Sequence, residues 1–331
     1  MTLGGFMRVL VTGADGFVGG YMVAQLLRES NLEIHATYRN KLANELLLSG
    51  EDRIHLYEAD VRDTRRMTEL FRRVLPERVI HLAGRAFIPD SFADPTQTYE
   101  ANVLGTVSVL EGARDVQRLT GVSPEVLLAG AGQIYDAERS GATPLDEEAI
   151  IHPVTPYTTS KACAELVAED YRRNFGVRVI ITRPFNHIGP RQHERFACSD
   201  YARRVALVVC GKLEPVFETG NMDIQRDFTD VRDVVRAYWM LFGRQSKHYV
   251  FNVCSGVGTR IQEVLDILQN IAGVTVKTII DPARFRPNDL PVIVGNFTRL
   301  HEATGWKPTI PLRQTLTDMY HYWLESIRRQ A

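Results

Sequence analysis

Between residues 7 and 183, short apolar runs rich in β-branched residues alternate with longer stretches whose apolar positions recur every three or four residues. A brief apolar run bounded by turn formers reads as a buried strand, and a 3.6-residue period reads as a helix with one buried side. Strands are therefore predicted near 8–12, 33–38, 53–57, 78–82, 125–130 and 177–183, and helices at 17–30, 64–74, about 96–117 and 157–174. The third helix carries Tyr99, Val103, Val107, Val109 and Leu110 along one side; the fourth carries Ala162, Leu166, Val167 and Tyr171. Strands alternating with helices form βαβ units, so the pattern predicts an α/β chain built on a doubly wound parallel sheet.

After Arg183 the alternation stops. Pro184-Phe185-Asn186-His187-Ile188-Gly189-Pro190-Arg191 reads as a loop, and regularity returns as shorter mixed elements: a strand at 248–254, a helix at 259–272 and a C-terminal helix at 312–329. The expected organisation is a first domain over 1–185, with 228–255 returning to it, and a smaller mixed α/β lobe over 186–331. There is no repeat, low-complexity tract or flexible linker, so the two parts should pack tightly around a cleft.

Composition narrows the partners. Thirty-nine Lys and Arg nearly balance forty Asp and Glu, with 44% apolar and 24% charged residues over 331 positions. Without a basic stripe or a polybasic run, neither nucleic acid nor a membrane surface is an expected partner, and small molecules are. No apolar run reaches the length of a membrane span, and the residues before Met7 read as a short extension rather than a leader. Cys163, Cys198, Cys210 and Cys254 lack metal-ligand or disulfide spacing. The expectations are no metal and a reducing, cytoplasmic setting.

Chemistry enters at the first strand–helix turn, Thr12-Gly13-Ala14-Asp15-Gly16-Phe17-Val18-Gly19. In this GxxGxxG form Gly13 makes the tight turn, Gly16 admits a pyrophosphate to the backbone, and Gly19 lets helix and strand approach, while the helix N-terminus attracts phosphate. The second strand ends Ala36-Thr37-Tyr38-Arg39-Asn40. An acid there would bind the ribose hydroxyls of NAD; Arg39 instead argues for the 2′-phosphate of NADP, unless it is an exposed arginine that merely caps a strand.

Further on, Tyr157 follows Pro156 and opens a helix that places Lys161 one turn away on the same face. An ammonium beside a phenol favours phenolate, so the pair is expected to lower the tyrosine pKa for acid–base work. A Ser or Thr hydroxyl normally accompanies such a pair. The preceding strand, Val126-Leu127-Leu128-Ala129-Gly130-Ala131-Gly132-Gln133-Ile134-Tyr135, has no hydroxyl before Tyr135; in the short-chain dehydrogenases that this pair resembles, counting back from that tyrosine implies Ala131 at the hydroxyl's position. Loss of one such donor costs on the order of 10²–10³ in rate, roughly 3–4 kcal/mol. An ordered water, the Gln133 amide or Thr155 are candidate replacements.

Taken together these residues resemble the extended short-chain dehydrogenases/reductases that modify nucleotide sugars, over essentially the whole chain. Arg183–Pro190, Arg226-Asp227-Phe228-Thr229-Asp230, Asn252–Gly256 and Arg286-Pro287 resemble most the GDP-4-keto-6-deoxy-D-mannose reductases, and next the GDP-mannose 4,6-dehydratases. The resemblance implies a Rossmann fold. It implies a cofactor site of Gly13, Gly16, Phe17, Val18, Gly19, Arg39, Asp60, Val61, Leu82, Ala83, Gly84, Tyr157, Lys161 and Pro184. Tyr157 and Lys161 would be catalytic, with Asn102 supporting a proton relay. Ala131, Asn186, Arg191, Arg226 and Arg286 would meet the sugar nucleotide, whose diphosphate suits arginine forks; Arg226 and Arg286 could instead pair with Asp227 or Asp289 at the surface.

Among the activities in that family, a 4,6-dehydratase needs an acid or base just after the Ser/Thr position, where this chain has Gly132 and Gln133. An epimerase would retain NAD. The expected activity is therefore NADP(H)-dependent reduction of a GDP-4-keto-6-deoxyhexose to a GDP-6-deoxyhexose such as GDP-rhamnose, with NAD(H) as the other cofactor. An NAD-dependent epimerase, or a protein that binds both ligands with impaired catalysis because of Ala131, are the alternatives. The resemblance also implies a homodimer that pairs helices 96–117 and 157–174, whose apolar sides could equally bury against the chain's own sheet.

Overall fold

A computed structural model describes residues 6–39, 52–140, 144–285 and 290–329. Its first half runs β1 (Met7–Thr12), α1 (Phe17–Leu26), β2 (Leu32–Tyr38), β3 (Ile54–Glu58), α2 (Thr64–Val74), β4 (Arg78–His81), α3 (Ile88–Ala93), α4 (Pro95–Tyr99), α5 (Gly105–Thr120), β5 (Glu125–Ala129), α6 (Ala137–Ser140), α7 (Pro156–Phe175) and β6 (Arg178–Pro184). The rest runs β7 (Asn186–Ile188), α8 (Ala197–Val209), β8 (Val216–Thr219), β9 (Gln225–Asp230), α9 (Val231–Leu241), β10 (Val250–Val253), β11 (Gly258–Arg260), α10 (Ile261–Ala272), β12 (Lys277–Ile280), β13 (Val292–Ile293), α11 (Thr298–Thr304) and α12 (Leu312–Arg329).

Among the described residues the main sheet has seven strands, ordered β10-β6-β5-β4-β1-β2-β3, and every adjacent pair is parallel. The predicted doubly wound Rossmann-type α/β fold is what the chain adopts. Because strand side chains alternate, Val9 and Val11 of β1 enter one core with α1, α9, Phe251 and Trp306, while Leu10 enters the opposite core with Phe71, Val109 and Ala168. A third core lies among α8, α10 and α12, around Val205, Leu265, Leu316 and Met319. The sheet reverses its winding between β1 and β4, and the crevice beyond their C-terminal ends is where such sheets bind ligands.

Several boundaries differ from the periodicity. The helix expected over 96–117 is interrupted by a π-helical turn at Glu100–Leu104 that contains Asn102. Helix α1 ends at Leu26 because its last turn tightens, with Arg28 N–H donating to Gln25 O at 3.2 Å and Glu29 N–H to Leu26 O at 3.0 Å. Within the expected loop 184–191, Asn186–Ile188 pairs with β9 as a short parallel strand. Helix α8 falls in the stretch whose pattern predicted no element; its buried side is built from small and polar residues, Ser199, Ala202 and Ala206, along with Tyr201 and Val205.

Candidate functional site

The glycine loop divides into residues the chain itself needs small and one it does not. Gly13 has φ +70°, and a Cβ there would lie 2.7 Å from the Ala83 backbone. A Cβ on Gly19 would lie 2.1 Å from Gly13 O and 2.6 Å from Ala14 Cα. Gly16 is different: it is extended (φ −79°, ψ 172°) and its Cβ would meet only Gly13 O, at 3.2 Å. It caps α1 without a side-chain hydrogen bond, and the first turn of α1 contains no acidic residue. An external anion is one of the partners that can satisfy a helix N-terminus in this state.

Directly at this end lies a cavity of about 250 Å³ lined by Gly13, Gly16, Arg39, Asp60, Val61, Leu82, Ala83 and Gly84, all named from the sequence. Asp15, Thr37, Tyr38, Ala59, Arg85 and Ala101 complete its wall and were not. Thr37 could have been found by strand alternation, since its hydroxyl accepts the Gly13 N–H at 3.3 Å. Arg39 is exposed, its N–H bound to Asp15 Oδ2 at 3.2 Å. The Arg62 guanidinium grips Asp60 at 2.7 Å and holds its carboxyl below the usual range. A more open depression of about 420 Å³ shares Asp60, but Asp63 on its wall already caps α2 through the Arg66 N–H at 2.9 Å.

Phe17, Val18, Gly19 and Pro184 do not line the cavity. Phe17 stacks on His187 with ring centroids 6.2 Å apart, Val18 packs on the first core, and Pro184 is buried at the end of β6 opposite Val253.

Helix α7 is positioned by a capping box in which Thr155 accepts the Thr158 N–H at 3.1 Å, with Pro156 in its first turn. Its next residue is Tyr157. Burial pushes the Tyr157 hydroxyl up to about 12, against the lowering expected from Lys161. The reason is that Lys161 is itself turned to the sheet: its Nζ donates to Ala129 O at 2.8 Å, and burial draws its pKa down to about 8, opposed by Glu165. Desolvation of the phenol outweighs any pull from that ammonium.

Asn102 ties the same region together. Its Oδ1 accepts the Arg85 N–H at 2.8 Å, and its Nδ2 donates to Arg85 O at 3.0 Å and Ser160 Oγ at 2.8 Å. Ser160 Oγ in turn donates to Tyr157 O at 2.7 Å. The side chain is thereby committed to holding the end of β4 against α7. A Cβ on Gly84 would lie 2.7 Å from Asn102 Oδ1 and 3.9 Å from Lys161 Nζ, so the cavity wall at Gly84 abuts the Tyr157 and Lys161 helix.

Ala131 is buried and starts a 3-10 turn over Gly132–Ile134. Gly132 lies on the Phe185 ring, where a Cβ would come within 2.6 Å. Gln133 Nε2 donates to Asn186 Oδ1 at 3.1 Å, a pairing the sequence did not reveal. Beneath the turn, Arg183 donates to Glu165 Oε2 at 2.8 Å and to Tyr135 Oη at 2.8 Å, and Tyr135 Oη donates to Asn252 Oδ1 at 2.8 Å.

Arg191 sits at φ +70° in a turn closed by Gln192 N–H to Gly189 O at 3.2 Å. Arg226 is buried on β9 and donates to Gln225 O at 2.8 Å. The neighbouring Asp227 is buried and accepts the Ser255 and Gly256 N–H groups at 2.7 and 2.9 Å. Arg286 lies outside the described residues.

Comparison with known proteins adds one decisive match: residues 10–319 fit the family described as GDP-mannose 4,6 dehydratase. The chain belongs to that family. Within it, the chain is 36% identical over 323 residues to the GDP-6-deoxy-D-mannose reductase of Pseudomonas aeruginosa, covering 98% of this chain and 99% of the relative. The structure of RMD from Pseudomonas aeruginosa complexed with NADPH superposes with a TM-score of 0.81 at 33% identity, covering 97% and 100% of the two chains. A Thermotoga maritima UDP-glucose 4-epimerase with UDP-glucose superposes with a TM-score of 0.86 at 25% identity, covering 97% and 100%. Among the described residues no cluster of His, Cys, Asp and Glu is placed to hold a metal, and no helix is long and apolar enough to cross a membrane.

Proposed function

We propose that this chain is an NADP(H)-dependent reductase of the C4 keto group of a GDP-4-keto-6-deoxyhexose, giving a GDP-6-deoxyhexose such as GDP-rhamnose. The observation that carries the reading is the junction at Gly84, where the cavity beneath an uncapped helix N-terminus abuts Lys161 and the start of the Tyr157 helix. The residues fit a dinucleotide. Gly16 leaves open the space a Cβ would fill beside the α1 N–H groups, Arg39 stands at the rim and would take a 2′-phosphate, and Asp60 and Val61 on the cavity wall would hold the adenine.

Bound there, NADPH supplies the hydride for the carbonyl carbon. The chain supplies the proton: with its pKa pushed to about 12, Tyr157 is a neutral phenol at pH 7 and can donate to the C4 oxygen as negative charge develops on it. Lys161, anchored on Ala129 O, would hold the ribose of the nicotinamide, and Asn102 would keep that arrangement through Ser160. Asn186, Arg191, Arg226 and Arg286 take the sugar nucleotide. Gly132 and Gln133 offer neither acid nor base, which disfavours dehydration. Residues 1–185 with 228–255 form the cofactor part and 186–331 the sugar-nucleotide part.

The reductase works as a homodimer in the cytoplasm. Leu104 before α5 and Leu166 on α7 are 56% and 71% exposed, which suits a second copy packed on these helices; a monomer mass by light scattering at micromolar concentration would reject the dimer. The four described cysteines are free thiols.

The test is single-turnover oxidation of NADPH by the purified chain with GDP-4-keto-6-deoxy-D-mannose, followed by absorbance. Turnover is expected, and Tyr157→Phe should reduce it by about 10²–10⁴ while NADPH still binds. The Ala131 position favours a second reading, a protein that binds both ligands without turning them over. That reading takes over if the natural chain is inert and Ala131→Ser restores activity.

A further inference from the structure

We infer that the Gln133 carboxamide is the second hydrogen-bond donor to the C4 oxygen, standing in for the hydroxyl that Ala131 lacks and aimed by Asn186. The inference rests on the reductase reading. Between Gly130 and Ile134 the chain offers Gly, Ala, Gly, Gln and Ile, so Gln133 is the one polar side chain the turn can present. It is half-buried, and its turn packs directly against α7, the helix that carries Tyr157 and Lys161.

The amide is also held. One Nε2–H is fixed on Asn186 Oδ1 at 3.1 Å, which leaves the other amide proton to point elsewhere from a nitrogen already set in place. Asn186 begins β7, locked on Phe228 of β9, and the Phe185 ring braces Gly132 from below. A donor fixed in this way loses little freedom when charge develops, which is the condition for stabilising an alkoxide. Thr155 is a weaker choice because its hydroxyl lies 3.0 Å from Thr158 Oγ1, whose own proton goes to Thr155 O, so the Thr155 proton is used within the capping box.

The chemistry balances without another reagent. Hydride from NADPH forms the C4–H bond, the carbonyl π pair becomes the oxygen lone pair, and Tyr157 gives that oxygen its proton. Gln133 contributes a hydrogen bond and transfers nothing.

Gln133→Ala should lower kcat about 10- to 100-fold with a several-fold rise in KM for the keto sugar, and adding Ala131→Ser to it should recover most of the loss. In Gln133→Glu, a side chain of the same shape, activity relative to the natural chain should fall as pH rises, because the carboxylate accepts but cannot donate. Calorimetry supplies a readout apart from turnover. Gln133→Ala should bind GDP as the natural chain does, yet bind GDP-4-keto-6-deoxy-D-mannose several-fold more weakly.

An equal loss of GDP affinity would place Gln133 at the diphosphate and overturn the inference. So would natural turnover that survives Gln133→Ala unchanged, with the reductase reading intact. No turnover by the natural chain would instead remove the reductase reading, and the donor with it.

Discussion

Two glycines three residues apart should respond to the same substitution in opposite ways. In Gly19→Ala the new methyl would sit 2.1 Å from Gly13 O and 2.6 Å from Ala14 Cα, whereas non-bonded heavy atoms settle near ~3.5 Å. Both obstacles are backbone, so α1 must move away from the loop, and the overpacking should cost about 1–3 kcal/mol or more. In Gly16→Ala the methyl meets a single atom at 3.2 Å, and φ −79°, ψ 172° suits any residue. The weaker cap and the reduced freedom of the unfolded chain nearly cancel, leaving stability within about 1 kcal/mol of the parent.

That methyl instead occupies the approach to the α1 N–H groups. Loss of one charge-assisted hydrogen bond to a phosphate, about 1.5–3 kcal/mol, predicts NADPH binding about 10- to 150-fold weaker. Urea unfolding midpoints and fluorescence titration with NADPH separate the two effects. The reasoning is refuted if Gly16→Ala binds NADPH normally, or if it loses as much stability as Gly19→Ala.

Other perturbations probe the remaining buried and charged groups. Glu165→Ala would leave the Arg183 guanidinium, whose side chain is 7% exposed, without its carboxylate, at a cost of about 3–5 kcal/mol in urea unfolding; a midpoint like the parent's would contradict it. Lys161 has its folded pKa drawn from 10.5 to about 8, so the unfolded chain holds the extra proton between those values. Stability should therefore rise with pH across that window relative to Lys161→Met, by up to about 1.4 kcal/mol per pH unit; Tyr157, raised to about 12, acts in the opposite sense only above pH 10 and is common to both chains. Arg39→Glu should weaken NADPH about 10- to 100-fold while sparing NADH, by the loss of a charge-assisted hydrogen bond. Equal effects on the two cofactors would remove Arg39 from the 2′-phosphate.

The sheet was legible because its strands are apolar on both faces: Val9, Leu10 and Val11 are all buried, so β1 reads as an unbroken hydrophobic run. Around the first cavity Gly13 was legible as the turn after β1, whereas Asp60, Val61, Leu82, Ala83 and Gly84 were legible through family resemblance. The interruption at Asn102 was not. The residues around it keep a helical apolar spacing, and the π turn lies where Asn102 binds Arg85 beyond β4 and Ser160 on the neighbouring α7. Helix α8 hid because Ser199 and Ala202 supply buried surface without a strong apolar signature. The rise in the Tyr157 pKa was equally out of reach, because desolvation depends on which elements cover a side chain.

The position of Trp306 has a consequence for how the protein is made. It is fully buried in the core that covers α1, its Nε1 donates to Asp233 O at 3.0 Å, and β10 seals the open edge of β6. A nascent chain that has already formed β1 to β6 therefore still shows a bare strand edge and the unmatched apolar side of α1. At ordinary rates of synthesis roughly 6–24 s pass between the emergence of Pro184 and that of Trp306. Chains released early should accumulate as sticky, chaperone-bound intermediates instead of small cofactor-binding modules, and a ribosome stalled near residue 300 would hold a protein not yet able to fold.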